Sequence, residues 1–230
     1  MTDTFFRFPQ TPHIAWLGPG APRDDKLLSP EEVGVLLEEP VVVEEKLDGA
    51  NLGFSLAPDG GLRAQNRGQY LHEPHGGQFQ RLSEWMAMHG ELLTAALGEH
   101  LIAFGEWCAA RHSLDYPMLP DWWLLFDIYD RREQRFWSTR RRDALAAGMR
   151  LATVPRLVEG RQTVASLENL VGGQRSRYRD GVLEGVVVRK EDDEWLLARG
   201  KLVRADFTQS IDSHWRSRRI QWNQVRWGAA

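Results

Sequence analysis

The run Val41-Val42-Val43-Glu44-Glu45-Lys46-Leu47, cut off by Asp48-Gly49, constrains the fold more than any other stretch. β-Branched residues favour a strand, and Asp-Gly ends it. Leu52 to Leu56 and Leu62 to Asn66 flank Pro58-Asp59-Gly60-Gly61, a β-turn sequence, so a hairpin follows at once. Lys46 is therefore expected at a strand end beside a hairpin.

Further along, Leu82, Trp85, Met86, Leu92, Leu93 and Leu97 recur at helical spacing, and Gly90 is expected to divide them between two helices. Strands are expected at Leu101 to Trp107 and Trp122 to Tyr129. A helix should start at Ser138 or Thr139, either of which can cap it, and a short one should cover Thr163 to Val171. Gly185 to Arg189 and Trp195 to Ala198, separated by Glu191-Asp192-Asp193-Glu194, read as a second hairpin. Antiparallel strands with interspersed helices make the class α+β. The 230 residues, 42% of them hydrophobic, suffice for a substantial core. We read residues 1–230 as one domain, with 1–40 as a lead-in that is irregular from Thr11 to Ser29, and 205–230 as a short basic tail.

Composition narrows the chemistry. The single cysteine, Cys108, allows no intramolecular disulfide and no multi-cysteine zinc site, which suits a reduced compartment. No stretch approaches the roughly 20 apolar residues of a membrane span, and the N-terminus lacks the basic-then-apolar order of a signal peptide. The expectation is a cytoplasmic protein with no membrane partner. No Gly-x-x-x-x-Gly-Lys-Ser/Thr phosphate loop is present. His72-Glu73-Pro74-His75 reads as a turn rather than a metal site. The net charge of −3 names no partner, but its distribution does. Arg199, Lys201, Arg204, Arg216, Arg218, Arg219 and Arg226 face only Asp206 and Asp212, with Phe207, Trp215, Trp222 and Trp227 interleaved, a mixture suited to phosphates and unstacked bases.

Of 29 Lys and Arg residues only Lys26, Lys46, Lys190 and Lys201 are lysine. Arginine serves wherever a positive charge suffices, yet only lysine can shed its proton and act as a nucleophile. Lys46-Leu47-Asp48-Gly49 heads an ordered series: Asn66-Arg67-Gly68, Phe104-Gly105-Glu106-Trp107, Phe126-Asp127-Ile128-Tyr129, Glu184-Gly185-Val186-Val187-Val188-Arg189, and finally Lys201. The order resembles the motif series of the covalent nucleotidyltransferases, the superfamily of ATP-dependent ligases and mRNA capping enzymes, from about Val41 to Phe207.

The resemblance implies a nucleotidyltransferase (ATP-grasp-like) domain of two antiparallel sheets with flanking helices and a nucleotide cleft between them. It implies that Lys46 attacks the α-phosphate, that Glu106 holds the ribose, that Phe126 stacks on the base, that Glu184 helps bind the divalent metal, and that Lys201 touches the α-phosphate. Lys46, Glu106, Glu184 and Lys201 are the expected catalytic set. Glu44, Glu45, Asn51, Arg67, Arg189 and Arg199 join Lys46, Glu106, Phe126 and Lys201 in the nucleotide-binding set, and Asp48, Glu106 and Glu184 are the expected metal carboxylates. Chemistry asks for the same groups: a lysine nucleophile must be neutral, and attack at phosphorus needs a metal and cationic clamps.

Two positions depart from the pattern. The fourth element usually ends in lysine, here Arg189, while strand alternation from Glu184 puts Lys190 on the Glu184 face, so the sequence leaves open which of the two acts. In the last element Arg199 replaces one of two lysines. Asn51, two positions after Gly49, sides with RNA ligases, whereas DNA ligases and capping enzymes usually carry arginine there, and with only 29 residues after Lys201 the expectation is that their OB domain is not present here. Ala110-Arg111-His112-Ser113-Leu114-Asp115-Tyr116 also resembles bacterial RNA-ligase-like proteins. The implied function is ATP-dependent RNA ligation with Mg²⁺ or Mn²⁺, in which Lys46 takes AMP, AMP passes to a 5′-phosphate RNA end, and a 3′-hydroxyl displaces it. The alternatives are a DNA ligase, a GTP-using capping-type transferase, and a non-catalytic nucleic-acid-binding module.

Overall fold

A computed structural model describes residues 4–19, 26–210 and 219–226, with 208–210 described by backbone alone. Its strands form two antiparallel sheets. The first has the order β10-β9-β1-β8, from β1 (Val41–Lys46), β8 (Arg156–Gly160), β9 (Gly185–Glu191) and β10 (Leu196–Val203). The second has the order β4-β3-β2-β5-β6-β7, from β2 (Ala50–Leu56), β3 (Leu62–Gln65), β4 (Tyr70–Leu71), β5 (Leu101–Trp107), β6 (Trp123–Asp130) and β7 (Arg135–Phe136). Both expected hairpins form, and the chain passes from one sheet to the other at Leu47-Asp48-Gly49. Gly49 is demanded by that passage, because a Cβ there would lie 2.5 Å from the Trp107 carbonyl oxygen.

Alternation explains β1. Val41 and Val43 bury against α1 (Pro30–Leu37) and α4 (Val164–Gly173) in a core that includes Leu36, Leu167, Val171, Val186 and Val188. Lys46 and Glu44 lie on the opposite face, toward the second sheet. That sheet packs Leu52, Phe54 and Trp123 against α2 (Leu82–Leu97), whose Leu82, Trp85, Leu93 and Leu97 are buried. α3 (Thr139–Met149), capped by Ser138, adds Ala146 and Met149 to the same core. A short helix, α5 (Ala205–Ser210), follows β10.

Two expectations change, for Gly90 and Lys190, and one helix is added to what the sequence foresaw. Gly90 does not break α2, because leucines and Trp85 bury on both sides of it, and that outweighs the ~1 kcal/mol a helical glycine costs. Within the lead-in, Ser29, Pro30 and Glu32 form a capping box that starts α1. Lys190 does not face the cleft. Glu184 is a bend preceding β9, so alternation counted from it fails, and Lys190 instead donates to the Val35 carbonyl and pairs with Glu38 behind the sheet.

The segments flanking this body pack onto it. Phe8 and Ile14 are buried, and Trp222 and Val225 sit against the α2 core. Arg216, Arg218, Trp215, Trp227 and Asp212 lie outside the described residues. Among the described residues no helix is long and apolar enough to cross a membrane.

Candidate active site

Strand register assembles the site. Lys46 pairs with Gly185, which puts the Glu184 carboxylate on the lysine ammonium. Across the gap Asn51 pairs with Glu106. On the first sheet Val187 pairs with Lys201, and Arg189 with Arg199. These side chains converge on a cleft of about 680 Å³ between the sheets. Glu44, Glu45, Lys46, Asn51, Arg67, Glu106, Phe126, Arg189, Arg199 and Lys201 all line it.

The cleft floor is short of positive charge. Desolvation alone would lower the Lys46 pKa, but the carboxyls of Glu184, Glu106 and Asp48 outweigh it and hold the amine protonated. The same burial drives the acids up, Glu106 to about 7 and Glu184 to about 8, with Lys46 opposing the rise in both. The Glu106 and Glu184 carboxyls beside the ammonium therefore retain protons near neutrality. A lysine acting as nucleophile must be neutral, so Lys46 in that role would need added positive charge nearby.

A divalent cation fits that need. Glu184 Oε2 is buried with no hydrogen-bond partner, beside the Glu106 carboxyl, and an orphaned carboxyl oxygen there suits a hard cation that would displace the proton. Asp48 is set differently, since its Oδ2 accepts the Ser113 and Leu114 N–H groups at 2.7 Å. Among the described residues no group of three or more His, Cys, Asp or Glu is arranged to hold a metal. Glu184 and Glu106 would be the protein's share of the ligands, with phosphates and water supplying the rest.

The remaining polar groups divide into unfilled and occupied. Both side-chain polar atoms of Asn51 are buried and unpartnered, a deficit of about 1–3 kcal/mol that a bound ligand would relieve. Glu106 accepts the Gly49 N–H at 3.0 Å. By contrast the Glu44 carboxylate pairs with Arg142 at 2.7 Å and Arg189 at 3.8 Å. Glu45 accepts from Ser176 Oγ and the Arg177 N–H. Arg189, 1% exposed, is spent on Asp127 at 2.8 Å and Glu191 at 2.6 Å, so it braces the cleft floor rather than reaching freely into it. Arg199 shares Asp127 and lies between the rings of Phe8 and Phe136.

Sequence reasoning missed several residues here. Phe8 reaches the cleft from the lead-in and meets Phe126 edge-on at 5.4 Å. Alternation in Phe6-Arg7-Phe8 was the available signal. Arg142 is buried and donates to the Phe126 carbonyl at 2.8 Å, fixing the strand that carries the ring. Of the segment Ala110 to Tyr116, which the sequence did single out, His112 lines the cleft with Nε2 2.7 Å from Gln78 Oε1, whereas Arg111 is held by Gln221 at 3.3 Å. Asn223 donates to the Cys108 carbonyl and accepts the Tyr116 N–H, and the Tyr116 hydroxyl oxygen accepts the Asp48 N–H. Those bonds hold the loop that seats Asp48.

The fold is shared with solved ligases. A mutant of the Naegleria gruberi RNA ligase with ATP and Mn superposes with TM-score 0.62 at 15% identity, over 90% of this chain and 58% of that one. The same ligase with PPi gives TM-score 0.59 at 17% identity, over 90% and 64%. An archaeal ATP-dependent RNA ligase gives TM-score 0.59 at 20% identity, over 86% and 48%. The chain thus spans roughly half to two thirds of the length of these ligases. No curated protein sequence matches it. A family model described as RNA ligase matches residues 39–204, well over half of the chain, and the protein belongs to the RNA ligase family.

Proposed function

We propose that this chain is an ATP-dependent RNA ligase that joins 5′-phosphate and 3′-hydroxyl RNA ends through a lysyl-AMP intermediate on Lys46. The observation that carries the reading is the placement of Lys46 on the cleft floor against Glu184, with Glu106, Asn51, Arg67 and Lys201 lining the same cleft. Family membership and the likeness to ligases solved with ATP and Mn support it.

In this reading the adenine stacks on Phe126, Glu106 accepts from the ribose hydroxyls, and the unpartnered Asn51 amide bonds the nucleotide. Lys201 and Arg67 neutralise phosphate oxygens as negative charge builds during attack. A divalent ion at Glu184 and Glu106, when bound, adds positive charge that favours the neutral amine and the departure of pyrophosphate. The Lys46 Nζ–Pα bond forms as the bond from Pα to the pyrophosphate oxygen breaks. A 5′-phosphate oxygen of RNA then takes the AMP from the lysine, and the 3′-hydroxyl of the second end displaces AMP to form the phosphodiester. We place this activity in the cytoplasm, where the buried thiol of Cys108 needs no partner.

Intact-mass measurement tests the first step. With ATP and Mg²⁺ the protein should gain one AMP, and Lys46→Arg, which keeps the charge but loses the attacking amine, should gain none. Equal labelling of Lys46→Arg would overturn the assignment. Labelling from GTP with transfer to a 5′-diphosphate RNA end would mark a capping enzyme instead.

A further inference from the structure

Between α4 and β9 runs Arg175-Ser176-Arg177-Tyr178-Arg179-Asp180-Gly181, with arginine at every second position. The loop is held firmly. Arg175 and Val182 form a β-bridge, the Ser176 N–H donates to the Gly181 carbonyl at 2.9 Å, and the Leu183 N–H donates to Gln174 at 3.1 Å. Its tether to the body is the buried Glu45 carboxylate, which accepts Ser176 Oγ at 2.5 Å and the Arg177 N–H at 3.0 Å. Tyr178 packs into the cluster of Leu47, Tyr116 and Leu119. The loop is thus fastened to the residues on both sides of Lys46, and it leads directly into Glu184, which touches the lysine.

Its cations are unequally used. Arg175 pairs with Asp180. Arg179 Nη1 donates to the Val182 carbonyl at 2.8 Å, but its Nε is buried with no partner. Arg177 is exposed, and among the described residues no hydrogen bond or ion pair engages its side chain. Gly181, at φ 147°, makes room for this arrangement, because a Cβ there would lie 2.6 Å from Arg179 Nη1. Three guanidinium groups therefore meet two carboxylates, Asp180 and the Glu45 that the loop's own N–H and hydroxyl already occupy, and a buried guanidinium N–H without an acceptor is costly unless an anion completes it.

We propose that this loop grips backbone phosphates of the RNA strand whose 5′-phosphate is brought to Lys46, with Arg177 as the free fork and Arg179 contributing Nε. The inference rests on the ligase reading and deepens it by assigning the RNA a docking element. A guanidinium matches a phosphate bidentately and reads no base, which suits an enzyme that must accept any end sequence. Glu45 makes the grip a rigid extension of the strand that carries Lys46, so the strand is registered to the reacting atoms.

The test measures binding of a fluorescent 5′-phosphorylated RNA by anisotropy across a salt series, for wild type, Arg177→Ala, Arg177→Lys and the double variant Arg177→Ala/Arg179→Gln. Arg177→Ala should weaken binding about tenfold at low salt and flatten the log–log salt slope by about 0.7 for each phosphate no longer neutralised. Lysine should restore much of the affinity, and the double variant should lose more than the single one. Lysyl-AMP formation, which uses the cleft alone, should persist in all four proteins. Unchanged affinity and slope in the double variant would overturn the grip. The two readouts fail separately: a wild-type protein that never forms lysyl-AMP refutes the ligase reading, while the salt series still decides the grip.

Discussion

Glu106→Gln offers a quantitative check on the electrostatics of the cleft. Burial raises the Glu106 carboxyl from 4.5 to about 7, with Lys46 and Arg67 opposing the rise. A pKa raised in the folded state means that the folded protein binds more protons than the unfolded chain between those two values. The group's contribution is then fully favourable below about 4.5 and is lost as pH climbs through about 7. At about 1.4 kcal/mol for each pH unit, the loss by pH 8 is about 3 kcal/mol. Glutamine keeps an acceptor for the Gly49 N–H and cannot ionise, so the variant escapes the loss. Urea unfolding in chelator-treated buffer at several pH values should show the variant gaining on wild type by roughly 2–3 kcal/mol between pH 4.5 and 8. The same variant should be poor at forming lysyl-AMP, since an amide cannot ligate the metal or accept from the ribose as a carboxylate does. A stability difference that stays flat across that range would show that Glu106 ionises freely, and the account of a cleft short of positive charge would fall with it.

Three further substitutions probe the supports of the site. Asp127→Ala removes the shared partner of the buried Arg189 and Arg199 and should cost about 3–5 kcal/mol in chemical denaturation, more than Asp127→Asn. Asn223→Ala strands a buried Tyr116 N–H and a Cys108 carbonyl, so thermal unfolding should register a loss of about 1–3 kcal/mol, and loosening of the Asp48 loop should slow lysyl-AMP formation. Phe126→Ala should weaken ATP binding by about 1–3 kcal/mol in isothermal titration, and an unchanged affinity would remove its stacking role.

Much of the fold was legible wherever local pattern and tertiary demand agree. The strand over Leu101 to Trp107 appears with the expected ends, and the helix capped by Ser138 begins where its hydroxyl predicts. The failures arise where a remote contact decides. Gly90 signals a break only if nothing beyond the helix holds its two halves, and the second sheet does so through Trp85, Leu93 and Leu97. The short β8 lacks clear alternation and becomes a strand because Val41 to Glu44 pair with it. The choice between Arg189 and Lys190 stays open in the sequence because alternation counted from Glu184 begins one residue before the strand does.

The candidate site divides along the same line. Residues that would touch a nucleotide sit in short motifs within strands or at their ends, so Lys46, Glu106, Phe126, Glu184 and Lys201 could be named from the family resemblance that those motifs carry, and all lie in or against one cleft. Their supports are ordinary residues made important by distance. Arg142 reaches Glu44 and the Phe126 carbonyl from a helix, and Asn223 reaches the Asp48 loop from well beyond the last motif. A lone asparagine followed by Gln224 and Val225 carries no local signature of such a role. The consequence is energetic as well as informational. Losing a motif residue should abolish a step while leaving the chain folded, as Lys46→Arg would, whereas losing a support should lower stability and activity together, because the bonds that hold the loop are also the bonds that seat Asp48 beside Lys46.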